Sequence, residues 1–386
     1  MTMRRIALVA LAVAGLAACN PQNLGITSPA KAASANEVSS IGATIAAEGG
    51  RAAVYTLLNS ATENMIAIFA RAKDGTLTPA GTVPTGGLGT GSGLGSQGAV
   101  VLSDDGAWLY AVNAGSNTIS MFRVDRGLTL ASTFPSGGIQ PISLALHDHL
   151  LYVLNAGGSG NITGFALTLD NHGWATPIAG STQGLSGAPS TVSPEEIAFN
   201  HDGHWLVVTE KGANLIDVYP VDWHGVAGPR TSYQSVGQGP YGFSFGNDDE
   251  LLVSEAATGS ASSYDFDHGA LTTVSGKVMD YHLAPCWLVV NQDGSFAYAA
   301  NAHDGTISGF VVGHHGKLTL LDANGTTAEP GTGNLDLAFD HDSKFLYQLL
   351  SSGPITAYRV KQDGHLTLLG VTTVTMPVSV SGLAAR

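Results

Sequence analysis

The sequence predicts an all-β fold, a seven-bladed β-propeller of four-stranded antiparallel blades, on three observations. Charged residues make up only 12% of the 386 residues, against roughly a quarter in an average chain. Glycine is abundant, at 50 residues. An apolar stretch ending in an aromatic residue also recurs at near-constant spacing. The first two argue against long charged helices and charge-driven disorder and for short strands joined by tight turns. The third sets the architecture, because four-stranded antiparallel units at this period are propeller blades.

The repeat is anchored at Phe69, Phe122, Phe165, Tyr219, Tyr264, Phe310 and Tyr358, as in Ile66-Ala67-Ile68-Phe69 and Ile307-Ser308-Gly309-Phe310. Each anchor is followed by an X-Gly pair, from Asp74-Gly75 and Arg126-Gly127 to His315-Gly316 and Asp363-Gly364. Glycine there supplies the positive φ of a hairpin turn, so each anchor strand pairs with the strand after it. Upstream lies a strand ending in Tyr-x-x-Asn, clearest as Tyr110 to Asn113, Tyr152 to Asn155 and Tyr298 to Asn301. Before that comes a short strand often opened by proline, at Pro141, Pro240 and Pro285. The four strands are A to D, from the channel outward.

The first blade lacks its A strand at the N-terminus. Pro377-Val378-Ser379-Val380-Ser381-Gly382-Leu383 resembles the proline-initiated A strands, so the C-terminus is expected to complete that blade, closing the ring and leaving no open edge. Two longer segments, 84–98 and 177–193, are inserted D–A loops. The first contains Gly93-x-Gly95-x-x-Gly98. That pattern cradles a pyrophosphate only between a strand and a helix N-terminus. Here a strand, Ala99 to Leu102, follows it, so no nucleotide or other cofactor is expected.

Residues 1–18 read as a lipoprotein signal peptide. Arg4 and Arg5 precede an apolar run from Ile6 to Ala18, too short for the about 20 residues of a membrane span. Leu16-Ala17-Ala18-Cys19 resembles a lipobox, which makes Cys19 the lipidated first residue of the mature chain. Residues 19–40 then form a flexible tether, and 41–386 the propeller domain. The expected product is an exported lipoprotein facing the periplasm or cell surface, held to the membrane through Cys19. Loss of the leader leaves 14 basic against 30 acidic residues, which excludes nucleic acid as a partner.

Topology sorts the chemistry. Eleven of the 13 histidines fall at A–B or C–D turns, leaving His282 and His303 at the opposite end, where D–A and B–C loops ring the channel mouth. Two histidines do not make a zinc site, so no metal is expected. The mouth is acidic, with Glu195, Glu196, Glu210, Glu255, Asp280 and Asp304 there and Lys211 as the base among the central blades' B–C loops. Glu210 and Glu255 occupy the strand-end position that asparagine fills elsewhere. Either they cap the B–C loop or they aim a carboxylate into the channel as general base or cation ligand. The candidate catalytic residues are Glu255, Glu210 and Glu195. Tyr241, Trp287, His282, His303 and Lys211 are the candidate substrate-binding residues. Cys286, opening a strand A, reads as a buried core side chain.

The seven-blade unit, the Tyr-x-x-Asn strand ends and the Asp-Gly-x-Leu turns (Asp74 to Leu77, Asp363 to Leu366) resemble the lactonase-type propellers over residues 50–386. That family includes 6-phosphogluconolactonases and carboxy-muconate cyclases; the chain also resembles the Tyr-Val-Thr-Asn repeat propellers. The resemblance implies lactone chemistry, yet the family's functional positions are altered. Pro-His in the fourth A strand is Pro194-Glu195, and Pro-Arg-His in the next is Pro240-Tyr241-Gly242; the family's arginine aligns with Leu215, and only its glutamate is kept, as Glu255. Phosphate recognition needs bases, so a phosphorylated lactone does not fit. Two functions do. One is an envelope hydrolase or isomerase of a neutral lactone, with Glu255 as general base and Glu195 and Glu210 assisting. The other is a non-catalytic propeller whose mouth binds a neutral or cationic small molecule or a protein partner. An acid-lined channel pocket would mark the first, and a mouth plugged by 84–98 or 177–193 the second.

Overall fold

A computed structural model describes residues 52–170, 172–372 and 379–386. The leader, the tether and Cys19 lie outside these residues. Seven antiparallel sheets form a ring. Strand A of blades 2 to 7 is Val100–Leu102, Pro141–His147, Pro194–Phe199, Pro240–Phe245, Pro285–Val290 and Asn334–Phe339. Blade 1 takes its strand A from the C-terminus, where Ser381–Ala385 pairs with Ala53–Leu57. The ring therefore closes as expected, but the closing strand starts later than the Pro377–Leu383 pattern suggested. Beyond the strands the described residues hold one four-residue helical turn, Pro189–Val192, and a 3₁₀ turn at His314–Gly316. Among the described residues no helix is long and apolar enough to cross a membrane.

The core lies between blades. All seven aromatic anchors are buried, and the repeated tyrosine is a blade-to-blade lock. Tyr152 donates from its hydroxyl to the Gly225 carbonyl (2.7 Å) and accepts from the Ala227 N–H (2.8 Å), both in the next blade's C–D turn. Tyr347 and Tyr298 reach Gly75 and Gly364 of the following blades in the same way. The turn glycine packs under the start of the preceding blade's strand B. A Cβ on Gly269 would lie 2.3 Å from Trp205, and one on Gly364 2.4 Å from Phe296. Both glycines have positive φ, so conformation and space make the same demand. Gly127 departs from the pattern: its φ is not positive, and a Cβ there would meet nothing within 4 Å. The preceding blade begins strand B with small Ala53 and presses nothing against that turn.

Tyr152→Phe is expected to strand a buried N–H and a buried carbonyl, each about 1–3 kcal/mol. The urea midpoint should fall with an unchanged slope, and an unmoved midpoint would refute the lock.

Candidate functional site: a sealed mouth and an acidic channel

Strands A begin, and strands B end, at the end of the ring where the D–A loops cross. Here Asn113 ties down its D–A loop: Oδ1 accepts from Thr85 Oγ1 (2.6 Å), and Nδ2 donates to Ser120 Oγ (2.7 Å). Glu255 does the same, accepting from Ser235 Oγ (2.6 Å) and the Gly237 N–H (3.3 Å). Glu210 accepts from the Ser186 N–H (2.9 Å) and from its hydroxyl. The geometry of both glutamates is thus that of loop caps, and both are fully buried. Burial pushes Glu255 up to about 7 against the hydroxyl bonds that pull it down. Blade 4 carries Asp217 where blades 2 and 6 have Ser120 and Ser308. Burial and the adjacent Glu210 raise the Asp217 carboxyl, while Arg230, 3.2 Å away, opposes them.

Glu195 sits in the bulge that opens strand A of blade 4. Its carboxylate is paired with Lys211 Nζ at 2.7 Å and accepts from Ser193 Oγ at 2.8 Å. Lys211 also lies 5.0 Å over the Tyr241 ring, which meets Trp287 edge-on at 5.2 Å. The four side chains form one buried cluster, with exposures of 0–8%. His282 and His303 are brought together, but elsewhere on this end. Both rings contact Asp304, with Nδ1 at 3.3 Å and 3.0 Å, and His282 also meets Thr326. No group of three or more potential metal ligands occurs among the described residues.

The mouth itself is covered. The segment Leu94 to Gly98 crosses it and is stitched to several blades. Ser96 Oγ donates to the Ile142 carbonyl (2.8 Å), Trp287 Nε1 donates to the Ser96 carbonyl (3.0 Å), and the Gln97 N–H reaches the Glu195 carbonyl (3.2 Å). The Gln97 carboxamide pairs with both backbone groups of Leu288, at 2.8 and 3.0 Å. Gly242 leaves the room: a Cβ there would lie 2.3 Å from Gln97 Oε1. The glycines of Gly93-x-Gly95-x-x-Gly98 thus belong to a strap, with Gly95 and Gly98 at positive φ.

Below the strap the channel opens toward the A–B turns as a cavity of about 380 Å³. Its wall is the strands A of blades 7, 1, 2, 3 and 4, with Gln97 at its inner end. Among the described residues two charged side chains line it, Glu196 and Asp336, and no Lys, Arg or His does. Each hooks the next blade. Glu196 Oε2 accepts from the Phe243 N–H (2.7 Å), and Asp336 Oδ2 from the Leu383 N–H (3.0 Å), while Oδ1 takes the Leu337 N–H (2.9 Å). Burial pushes Asp336 up to about 8 against those two bonds. Glu196 is also driven well up, by burial and by the Asp336 charge. Both marks set out from the sequence are therefore present, at opposite ends of one channel. Glu196 was counted with the mouth acids but belongs to the channel. Asp336 and Gln97 were missed, although an acid inside the apolar run Leu335-Asp336-Leu337-Ala338-Phe339 is a readable anomaly.

The family model of the lactonase, seven-bladed β-propeller matches residues 53–173 and 260–382, more than half of the chain. The chain belongs to this lactonase family. Solved structures agree in fold. A Bacteroides uniformis protein assigned as a 6-phosphogluconolactonase is 20% identical, with a TM-score of 0.67 over 86% of this chain and 99% of that one. The periplasmic gluconolactonase of Pseudomonas aeruginosa is 18% identical, with a TM-score of 0.65 over 85% and 98%. No curated protein matches the sequence.

Proposed function

We propose that this lactonase-family propeller is an exported lipoprotein, attached through Cys19, that hydrolyses a neutral lactone in the channel cavity. The observation that carries the reading is the cavity wall, with two carboxyl groups and no basic side chain. An uncharged lactone fits such a wall, whereas a phosphate ester would lie against acids with nothing to neutralise it. A cavity of about 380 Å³ falls within the usual range of small-molecule sites, about 300–1,000 Å³. Support also comes from the family and from a structural relative described as a periplasmic gluconolactonase.

Glu210 and Glu195 are committed to a loop and to Lys211, and Glu255 holds its loop through Oε1, so the chemistry is assigned to Glu196 and Asp336, which line the cavity. Two carboxyls on one cavity wall, one ionised and one protonated, can act as base and acid together. The carboxylate takes a proton from water as the water oxygen attacks the lactone carbonyl. The carboxylic acid gives its proton to the ring oxygen as the acyl C–O bond breaks, and the product is a hydroxy acid. Water enters with the substrate from the open end of the cavity, and strand N–H groups fix both carboxyls.

A lactone panel tests this. Glucono-δ-lactone should be turned over, its 6-phosphate should not, and Glu196→Gln or Asp336→Asn should each lower kcat about 100-fold or more, within the range for general acid–base catalysis. Glu255→Gln should affect stability more than kcat. The second reading, a binding propeller, is favoured by the strapped mouth; it would replace the first if neutral lactones bind without turnover, or if turnover ignores both channel acids.

A further inference from the structure

We infer that the channel is loaded from the A–B face and that Gln97 is its specificity-determining floor; this rests on the lactonase reading above for the identity of the ligand, but not for the route. Loops on the D–A face ring the mouth, so the sequence places access there. The packing points the other way. At that end Ser96, Gln97, Tyr241 and Trp287 are buried in mutual contact, and the strap is hydrogen-bonded to blades 3, 4 and 6. Leu94 adds a bond from its N–H to Ser381 Oγ of blade 1 (3.1 Å). A segment tied on four sides, to blades 3 and 6 by buried bonds, is a fixed plug.

Toward the other end the same strands loosen. Strands A are buried over their first residues and become half-buried at their last ones, Val101 and Leu102 in blade 2, Leu146 and His147 in blade 3, and Phe339 in blade 7. Several of these side chains line the cavity, as do Ala198 and Ala385, also half-buried. A gap at the strap itself, bounded by Gly95, Ser96, Trp287 and Asp336, is about 10 Å³, about the space of a single water. Solvent and ligand therefore meet Glu196 and Asp336 from the A–B side. Past them the ligand meets the carboxamide of Gln97, whose own polar atoms are taken up by Leu288. The length of Gln97 thus sets how far a ligand can reach.

Two experiments decide it on the full-length protein. Ala198→Cys places a thiol on the A–B half of the cavity, and Ile139→Cys places one on the exposed D–A loop between blades 2 and 3, at the opposite end of the ring. Both are treated with benzyl methanethiosulfonate, and the modified residue is located by peptide mass mapping. Cys at 198 should label under native conditions and then lose at least tenfold in glucono-δ-lactone turnover, while the labelled 139 variant keeps wild-type turnover. If 198 labels only in denaturant, or if the 139 adduct blocks turnover, the route is overturned. Labelling at 198 is read by mass, so it supports the route even if the wild type turns over no lactone, a result that would defeat the lactonase reading alone. For the floor, Gln97→Asn retracts the carboxamide by one methylene. It should raise kcat/KM for a lactone longer by one carbon relative to glucono-δ-lactone by about threefold or more. A variant with wild-type melting behaviour and unchanged selectivity would overturn the assignment of Gln97.

Discussion

A chain ending at Met376 should give no cooperative thermal transition. The missing residues supply the innermost strand of blade 1, Ser381–Ala385, without which Ala53–Leu57, fully buried in the native protein, becomes an open edge. Val380 and Leu383 are buried, and each such side chain contributes about 1.5–3 kcal/mol. The strand also carries bonds that nothing else can make. Thr56 Oγ1 donates to the Gly382 carbonyl (2.7 Å), Ser379 Oγ to the Leu58 carbonyl (2.7 Å), and Arg71 Nε to the Arg386 carbonyl (2.9 Å). Asp336 would lose the Leu383 N–H that partly compensates its burial. Set against a total stability of about 5–15 kcal/mol, this loss is the whole margin. Calorimetry and near-ultraviolet circular dichroism should show no sharp transition in the truncated chain. A wild-type melt would refute closure by the C-terminus.

The fold was readable because a propeller repeats one local problem seven times. Each blade must bury an aromatic and turn at a glycine, and blades 3, 6 and 7 also hand a tyrosine to the next blade, so the sequence shows the period even at low similarity between repeats. Gly127 is the exception that confirms the cause: its neighbour is alanine and the constraint vanishes. The site was read less well. Topology placed Glu195, Glu210 and Glu255 at the correct end of the ring, but no pattern in the sequence says that the segment 94–98 crosses that end. The crossing depends on Gln97 meeting Leu288, 191 positions away, across a gap that exists because residue 242 is glycine. Such a contact has no local signature. The channel acids were hidden for a related reason. Asp336 and Glu196 look like irregularities in apolar strands until the ring is closed and each is seen to hold the N–H of the following blade.

Those same carboxyls should make the protein more stable in mild acid than in mild base. Burial is the leading cause that lifts Asp336 to about 8, Glu255 to about 7 and Asp280 to about 6, whereas unfolded carboxyls titrate near 4. Between those values the native state holds protons that the unfolded state has released. Stability then falls as pH rises: the contribution is complete below about 4 and is lost on passing upward through 6 to 8. The exposed turn aspartates act in the opposite sense. Bonds from the residues that follow hold Asp74, Asp170 and Asp363 below their ordinary value, so their contribution disappears only as pH falls below about 4. The optimum should therefore lie near pH 4–5. From pH 8 to pH 5, at constant ionic strength, the melting temperature should rise by at least about 5 °C, since 1 kcal/mol moves a chain of this class by about 2–4 °C. Asp336→Asn removes the group that titrates highest and should flatten the part of the curve above pH 7, whatever it does to the absolute melting temperature. A melting temperature that is level or climbs from pH 5 to pH 8 would mean that these carboxyls are ionised in the native protein, and the proposed hydrolysis would then lack its acid.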